Sequence, residues 1–173
     1  ETFNALLNIA QAESGQLEAD KKGFNLSALI RNMTELYEPV AEEKSMILTS
    51  EVAPGITVYG NKHLMSQALS NLLDNAVKYT PEGGKVLLVL RLNENRPELI
   101  IADSGAGIAE ADHKRVLDRF VRLEASRNSP GSGLGLSLVR AVAQLHCADI
   151  ALEDNLPGLR VVITFEEPKP KLL

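Results

Sequence analysis

A single cysteine, Cys147, stands in the whole sequence. It excludes an intrachain disulfide and fits a reducing compartment. No block of Lys and Arg occurs and the formal net charge is −5, which sets non-specific nucleic-acid binding aside. No apolar run reaches the roughly 20 residues a membrane-spanning helix needs, no signal peptide opens the chain, and no internal repeat appears. What is present is 173 residues with 45% hydrophobic content, enough for one domain with a real core plus a small appendage. The chain starts at Glu1 without a methionine. It is therefore expected to be a soluble fragment of a longer protein, with any upstream membrane segment outside it.

Residues 1–19 carry Phe3, Leu7, Ala10, Ser14 and Leu17 at alternating spacings of four and three. This is a short heptad-like stripe that predicts a helix ending near 15–22, where Gly15 and Gly23 fall. The stretch 24–46 predicts a second helix capped by Asn25 or Ser27, with Leu26, Leu29, Ile30, Met33, Leu36, Tyr37 and Val40 as its apolar face. Pro39 predicts a kink or a late break in it. Two short strands follow, 47–52 and 56–60, around a Pro54-Gly55 turn. A helix is expected over 61–79 and a hairpin over 83–103. A short helix should cover 109–118, a polar loop 119–132, a glycine-started helix 133–146, and a second hairpin 149–167. Hairpin strands alternating with helices argue for a two-layer α/β sandwich: a mixed, mostly antiparallel sheet with helices on one face.

The helix over 61–79 contains "NLLDNAVKYT" (71–80). Asparagine is a poor residue for a helix interior, because its side chain competes for backbone hydrogen bonds. On a helical wheel Leu69, Leu72, Leu73 and Ala76 share one side. Asn71, Asn75 and Lys78 fall within roughly 60° of one another on the opposite side, with Gln67 and Asp74 beside them. Amide oxygens are neutral, hard ligands suited to Mg²⁺ that already carries phosphate oxygens. Lys78 is a point charge suited to phosphate. Taken alone, this face is also what any solvated helix presents.

Three further stretches give that face company. "ADSGAGI" (102–108) follows an apolar strand. Its Asp103 carboxylate would repel phosphate but accept a hydrogen bond from an exocyclic amine, and Gly105 and Gly107 permit close backbone approach. "GSGLGL" (131–136) precedes a helix and places Gly131, Gly133 and Gly135 at its positive end, a fit for phosphate. It lacks the P-loop and dinucleotide-fold spacings. "DRFVRLEASRN" (118–128) sets Phe120 and Leu123 between Arg119, Arg122 and Arg127, as a lid over phosphates would.

These four stretches, in this order and spacing, resemble the N box, the two glycine boxes and the phenylalanine box of the ATP-binding domain of sensor histidine kinases. The resemblance covers residues 24–167 and implies the Bergerat-type sandwich of the gyrase, heat-shock chaperone, histidine kinase and mismatch-repair ATPases. It implies three regions: 1–22 as the end of a dimerisation and phosphotransfer helix, 23–168 as the ATP-binding domain, and 169–173 as a tail. It implies ATP and Mg²⁺, with Asn75 as the metal ligand and Asn71 as its phosphate-side neighbour. Lys78 would contact phosphate, Tyr79 and Phe120 would lie against the nucleotide, and Asp103 would take the adenine amino group. Gly105, Gly107 and Ile108 would line the base pocket. Gly131, Gly133, Leu134, Gly135 and Leu136 would approach the phosphates, with Arg127 on the lid. Asn71, Lys78 and Arg127 would serve the transfer itself. The implied partners are a second copy of the full-length protein, through its helical domain, and a response-regulator receiver domain. The implied location is the cytoplasmic side of a sensor that is membrane-anchored as a full-length protein.

Two departures bear on this. The family's His-Gly-Gly after the last helix is here His146-Cys147-Ala148, which predicts a local change at a helix stop. None of His63, His113 and His146 has the His-Glu/Asp-x-Arg/Lys-Thr/Ser-Pro setting of the phosphorylated histidine, so the acceptor is expected outside the chain. Two other functions compete with the kinase. One is an ATP-hydrolysing switch; but related hydrolases hold a glutamate where this sequence has Asn71, and an amide cannot take water's proton. The other is a degenerate docking module, against which the complete set of boxes argues.

Overall fold

The computed structural model describes residues 21–123 and 133–167. The lead-in stripe over 1–19, the tail 169–173 and most of the lid lie outside them. Strand β1 (Lys22–Asn25) opens the described chain and runs into helix α1 (Leu26–Glu43). The Asn25 side chain accepts from Ala28 N at 2.8 Å and so caps α1. Ser27, the other expected cap, is instead buried: its hydroxyl donates to Ala53 O at 2.7 Å and accepts from Ile56 N at 2.9 Å.

Strand β2 (Ile47–Val52), strand β3 (Thr57–Gly60) and helix α2 (Lys62–Tyr79) follow. After them come β4 (Lys85–Asn93), β5 (Arg96–Asp103), helix α3 (Gly135–Leu145), β6 (Ala148–Asp154) and β7 (Leu159–Phe165). The main sheet has the order β2-β4-β5-β7-β6. Its β2–β4 pair is parallel and its other pairs are antiparallel. Alternate residues of the central strands, such as Leu88, Leu99, Ile101 and Ile163, join the three helices in one core. Ile100, Ala102 and Val162 form a small cluster on the opposite face. The expected two-layer sandwich with helices on one face is what forms.

Four expectations are corrected. The late break offered as one outcome of Pro39 does not occur: α1 continues through it to Glu43, and Pro39 is exposed, so its missing N–H and the carbonyl it cannot serve fall on the outer side of the helix. Leu36 and Val40, expected on the apolar face, are 64% and 42% exposed. The 47–60 strands are no hairpin: β2 joins β4 in parallel, and β3 pairs with the unforeseen β1 in a separate two-stranded sheet. Region 109–118 forms two 3₁₀ turns, Glu110–Asp112 and Arg115–Leu117, in place of an α-helix.

Candidate functional site

α2 positions the asparagines. It starts where the Asn61 side chain accepts from Leu64 N at 3.1 Å, and its leucines face the core, so Asn71, Asn75 and Lys78 stay half-buried on the other side. Asn71 Nδ2 donates to Gln67 O at 2.9 Å. A carbonyl can only accept, so this contact identifies the outward atom of the amide as Oδ1. That oxygen faces the start of α3, where a Cβ built on Gly135 would lie 3.0 Å from it.

Among the described residues no side chain caps α3 at Leu134. Its first-turn N–H groups thus face outward at the positive end of the helix dipole, beside the amide face of α2. Leu134 is buried and Leu136 half-buried; both anchor this end in the core. Asp74 takes a different role from its neighbours. Its carboxylate accepts the Tyr37 hydroxyl at 2.7 Å, tying α2 to α1. Burial first, and then Asp74, push the Tyr37 pKa up to about 12.

The opposite wall is the end of β5. Asp103 is 8% exposed. Its Oδ1 accepts from Gly105 N at 2.8 Å and Leu159 N at 3.3 Å, while its main-chain oxygen accepts from Asn155 Nδ2 at 2.7 Å. Burial raises its pKa above the ordinary carboxylate value, against the two N–H bonds that lower it. A Cβ on Gly105 would lie 2.5 Å from Tyr79 O, so glycine is what lets this loop meet the end of α2. Gly107, at φ +70, packs on Gly158 in the β6–β7 turn. Ile108 is half-buried and its carbonyl accepts from His113 Nε2 at 2.8 Å.

An open pocket of about 430 Å³ lies where the end of α2 meets the loop after β5. Lys78, Tyr79, Thr80, Pro81, Ser104 and Gly105 line it, with Ala106. The Lys78 ammonium sits 4.9 Å from the centre of the Tyr79 ring. The two ends of the lid meet: Phe120 N donates to Gly133 O at 3.0 Å. Phe120 is 60% exposed, so it is no core anchor. Arg127 and Gly131 lie outside the described residues. Three features escaped the sequence reading: the Tyr37–Asp74 bond, the buried Thr80 hydroxyl and the bonds of the His146 ring to Val142 and Asn61. Only a tertiary neighbour distinguishes each of them from an ordinary polar residue.

The donor set fits the group the resemblance implies. Among the described residues no cluster of three His, Cys, Asp or Glu side chains could hold a metal. Asn71 and Asn75, half-buried on the outer side of α2, offer amide oxygens, neutral hard donors that fit a Mg²⁺ carrying phosphate oxygens. Among the described residues no helix is long and apolar enough to cross a membrane.

A two-layer sandwich with an amide-bearing helix set against a glycine-started helix N-terminus defines an ATPase-type nucleotide-binding domain. Residues 60–169 match the family described as Histidine kinase-, DNA gyrase B-, and HSP90-like ATPase. The sensor histidine kinase CusS of Escherichia coli O157:H7 is 33% identical over 164 residues, covering 94% of this chain and 34% of that protein. A solved structure of the mycobacterial sensor histidine kinase MprB superposes with a TM-score of 0.73 at 28% identity, over 83% of this chain and 97% of that one. Full-length ShkA, solved in complex with AMPPNP, gives 0.80 at 27% identity, over 94% of this chain and 34% of that one. The chain belongs to this ATPase family, as an ATP-binding catalytic domain of the sensor histidine kinase type. It spans about a third of the length of the curated relatives it matches.

Proposed function

We propose that this domain binds Mg-ATP and passes the γ-phosphoryl group to a histidine on a dimerisation helix outside the described residues, for relay to a response-regulator receiver domain. The observation that carries the reading is Asn71: its Oδ1 faces the glycine start of α3, while its Nδ2 is held by Gln67. Phosphoryl transfer is mostly positioning and charge stabilisation. Here the α3 N-terminus with Gly133 and Gly135, Lys78 and the lid residues Arg127 and Gly131 would hold the phosphates. Asn75, with Asn71 beside it, would hold Mg²⁺, which when bound supplies neutralisation of phosphate charge.

Asp103 would orient the base, against Gly105, Gly107 and Ile108, with Tyr79 and Phe120 against the nucleotide. An imidazole is itself the nucleophile, so no strong protein base is required. An amide at Asn71 leaves water without a base there, which favours transfer to histidine over hydrolysis. Residues 1–22 would end the dimerisation helix and 23–168 would form the kinase domain, although β1 already begins at Lys22. The full-length protein would dimerise through the helical domain and work on the cytoplasmic side of a membrane-anchored sensor.

The test mixes this chain with a separately made acceptor-helix domain and labelled ATP. Acid-labile label on the helix domain is expected, with none on this chain alone. Label on this chain alone, or hydrolysis outpacing transfer, overturns the reading.

A further inference from the structure

The turn between β6 and β7 lies over the last residue of β5. It runs through Asn155, Leu156, Pro157 and Gly158, and Asn155 N closes it by donating to Gly158 O at 3.0 Å. Gly158 is buried at φ 113, and a Cβ on it would collide with Asp103 O. Only glycine lets the turn sit this close. Asn155 is an exposed residue, yet its Nδ2 reaches in and donates to that same Asp103 O at 2.7 Å.

The bond stands where a ladder bond would. β5 and β7 pair as far as Ala102 opposite Arg160, so Asp103 and Leu159 would be the next pair. Ser104 N donates to Lys85 O on the β4 side, so Asp103, one residue earlier, turns its N–H and C=O toward β7. Regular pairing would put the Leu159 N–H on Asp103 O. It goes instead to the carboxylate, 3.3 Å from Oδ1, beside the Gly105 N–H at 2.8 Å. Both bonds fall on Oδ1, which leaves Oδ2 without a partner among the described residues.

Resting on the nucleotide reading of the site, we infer that Asn155 is a positioning residue for base recognition: it occupies the main-chain oxygen of Asp103, so that the Leu159 N–H stays on the carboxylate and Oδ2 is left to accept the exocyclic amine. Without the Asn155 amide, Asp103 O becomes a bare acceptor facing the one N–H within ladder reach, and such acceptors are rarely left unpaired. The Leu159 N–H moves to it. The carboxylate, then held by Gly105 alone, loses its fixed orientation, and recognition weakens by the cost of restoring it. The Leu159 bond is also one of the two that lower the Asp103 pKa, so its loss pushes that value further up.

The test titrates the unsubstituted chain and Asn155→Leu with ATP and with purine riboside triphosphate (which carries hydrogen in place of the amine), from about pH 7.5 down to 5. Leucine is close to asparagine in size and shape and offers no donor. The ratio of the two affinities cancels what the phosphates and the overall fold contribute. The unsubstituted chain is expected to prefer ATP. Asn155→Leu is expected to shrink that preference about three- to tenfold, to leave purine riboside triphosphate binding unchanged, and to move the acid-side loss of preference to higher pH. On an Asp103→Asn background the same substitution is expected to leave the ratio where it stands. An unchanged ratio in Asn155→Leu, an equal loss on both nucleotides, or a further fall on the Asp103→Asn background overturns the assignment. An unsubstituted chain with no preference for ATP overturns the nucleotide reading itself, a result no Asn155 outcome can produce.

Discussion

Asn71 and Gly135 meet so closely that a methyl group on the glycine would lie 3.0 Å from the asparagine Oδ1. They stand 64 positions apart, Asn71 midway along α2 and Gly135 at the start of α3, where phosphate is expected to bind. The contact is tighter than ordinary packing, and Asn71 cannot rotate away without giving up its bond to Gln67 O. Gly135→Ala is therefore expected to displace the amide by a few tenths of an ångström. Displacements near a reacting group act steeply, so Mg-ATP affinity should fall severalfold. Melting temperature should hold or rise, since alanine is the better helix former. Calorimetric titration beside a melting curve separates the two effects, and retained affinity would show that Asn71 has no role in phosphate placement.

Asp103 is expected to trade stability for recognition. Burial raises its folded pKa above the unfolded value of 3.8. The stability this group contributes is thus fully present below pH 3.8 and lost as pH rises through the higher folded value. At pH 7 the ionised carboxylate weakens the fold. Asp103→Asn keeps an oxygen for Gly105 N and Leu159 N, so the variant should melt higher at pH 7. It should also bind ATP about tenfold or more weakly, because a charged acceptor is lost. A variant that melts lower, or that binds ATP as before, contradicts the role given to Asp103.

The elements that were legible in the sequence are those whose signal is local. The leucine and asparagine stripes of α2 have one period and one cap. The 83–103 hairpin alternates on both sides of a Glu94-Asn95 turn with positive φ at both residues. The unforeseen features depend on distant partners. β1 has only four residues and owes its form to β3. β2 pairs in parallel with β4 across an intervening strand and helix, which no turn signal announces. Leu36 and Val40 fit the α1 stripe by period alone, yet the stripe is wider than the contact α1 makes with the core. In the motifs the glycines and paired asparagines stood out, because they are rare in such surroundings. Asp74 stands beside the amide face on the wheel, but its tie to α1 has no local signal, because Tyr37, its partner, lies 37 positions earlier.

Cys147 occupies a glycine's conformation. It follows the His146 cap of α3 at φ 51, the left-handed region that closes helices and that side chains other than glycine enter at a cost. Cys147→Gly is expected to raise stability by about 1 kcal/mol, a shift of ~2–4 °C in melting temperature for a domain of this size. Cys147→Ala should give no such gain. Equal melting of all three forms would mean that neighbouring contacts, and not backbone strain, set the stability of this stop.

His146 ties the end of α3 to the start of α2. Its Nδ1–H donates to Val142 O at 2.7 Å, and its Nε2 accepts from Asn61 N at 3.0 Å. Its ring stands edge-on to Phe24 with centroids 6.2 Å apart, and any side chain on Gly60 would collide with it. Both nitrogens are committed to the neutral tautomer, since a protonated ring would aim a second N–H at the Asn61 N–H. Burial lowers the folded pKa below the unfolded value of 6.5, against the two backbone bonds that raise it and with Lys21 adding to the depression. The unfolded chain therefore binds more protons in this range, so stability rises with pH there. The contribution of His146 is fully present above pH 6.5 and is lost as pH falls through the lower folded value. Chemical denaturation from pH 7.5 down to 5 should show a declining midpoint that His146→Gln flattens. A midpoint that is independent of pH in the unsubstituted chain, or a slope that survives the substitution, would assign the acid sensitivity to another group.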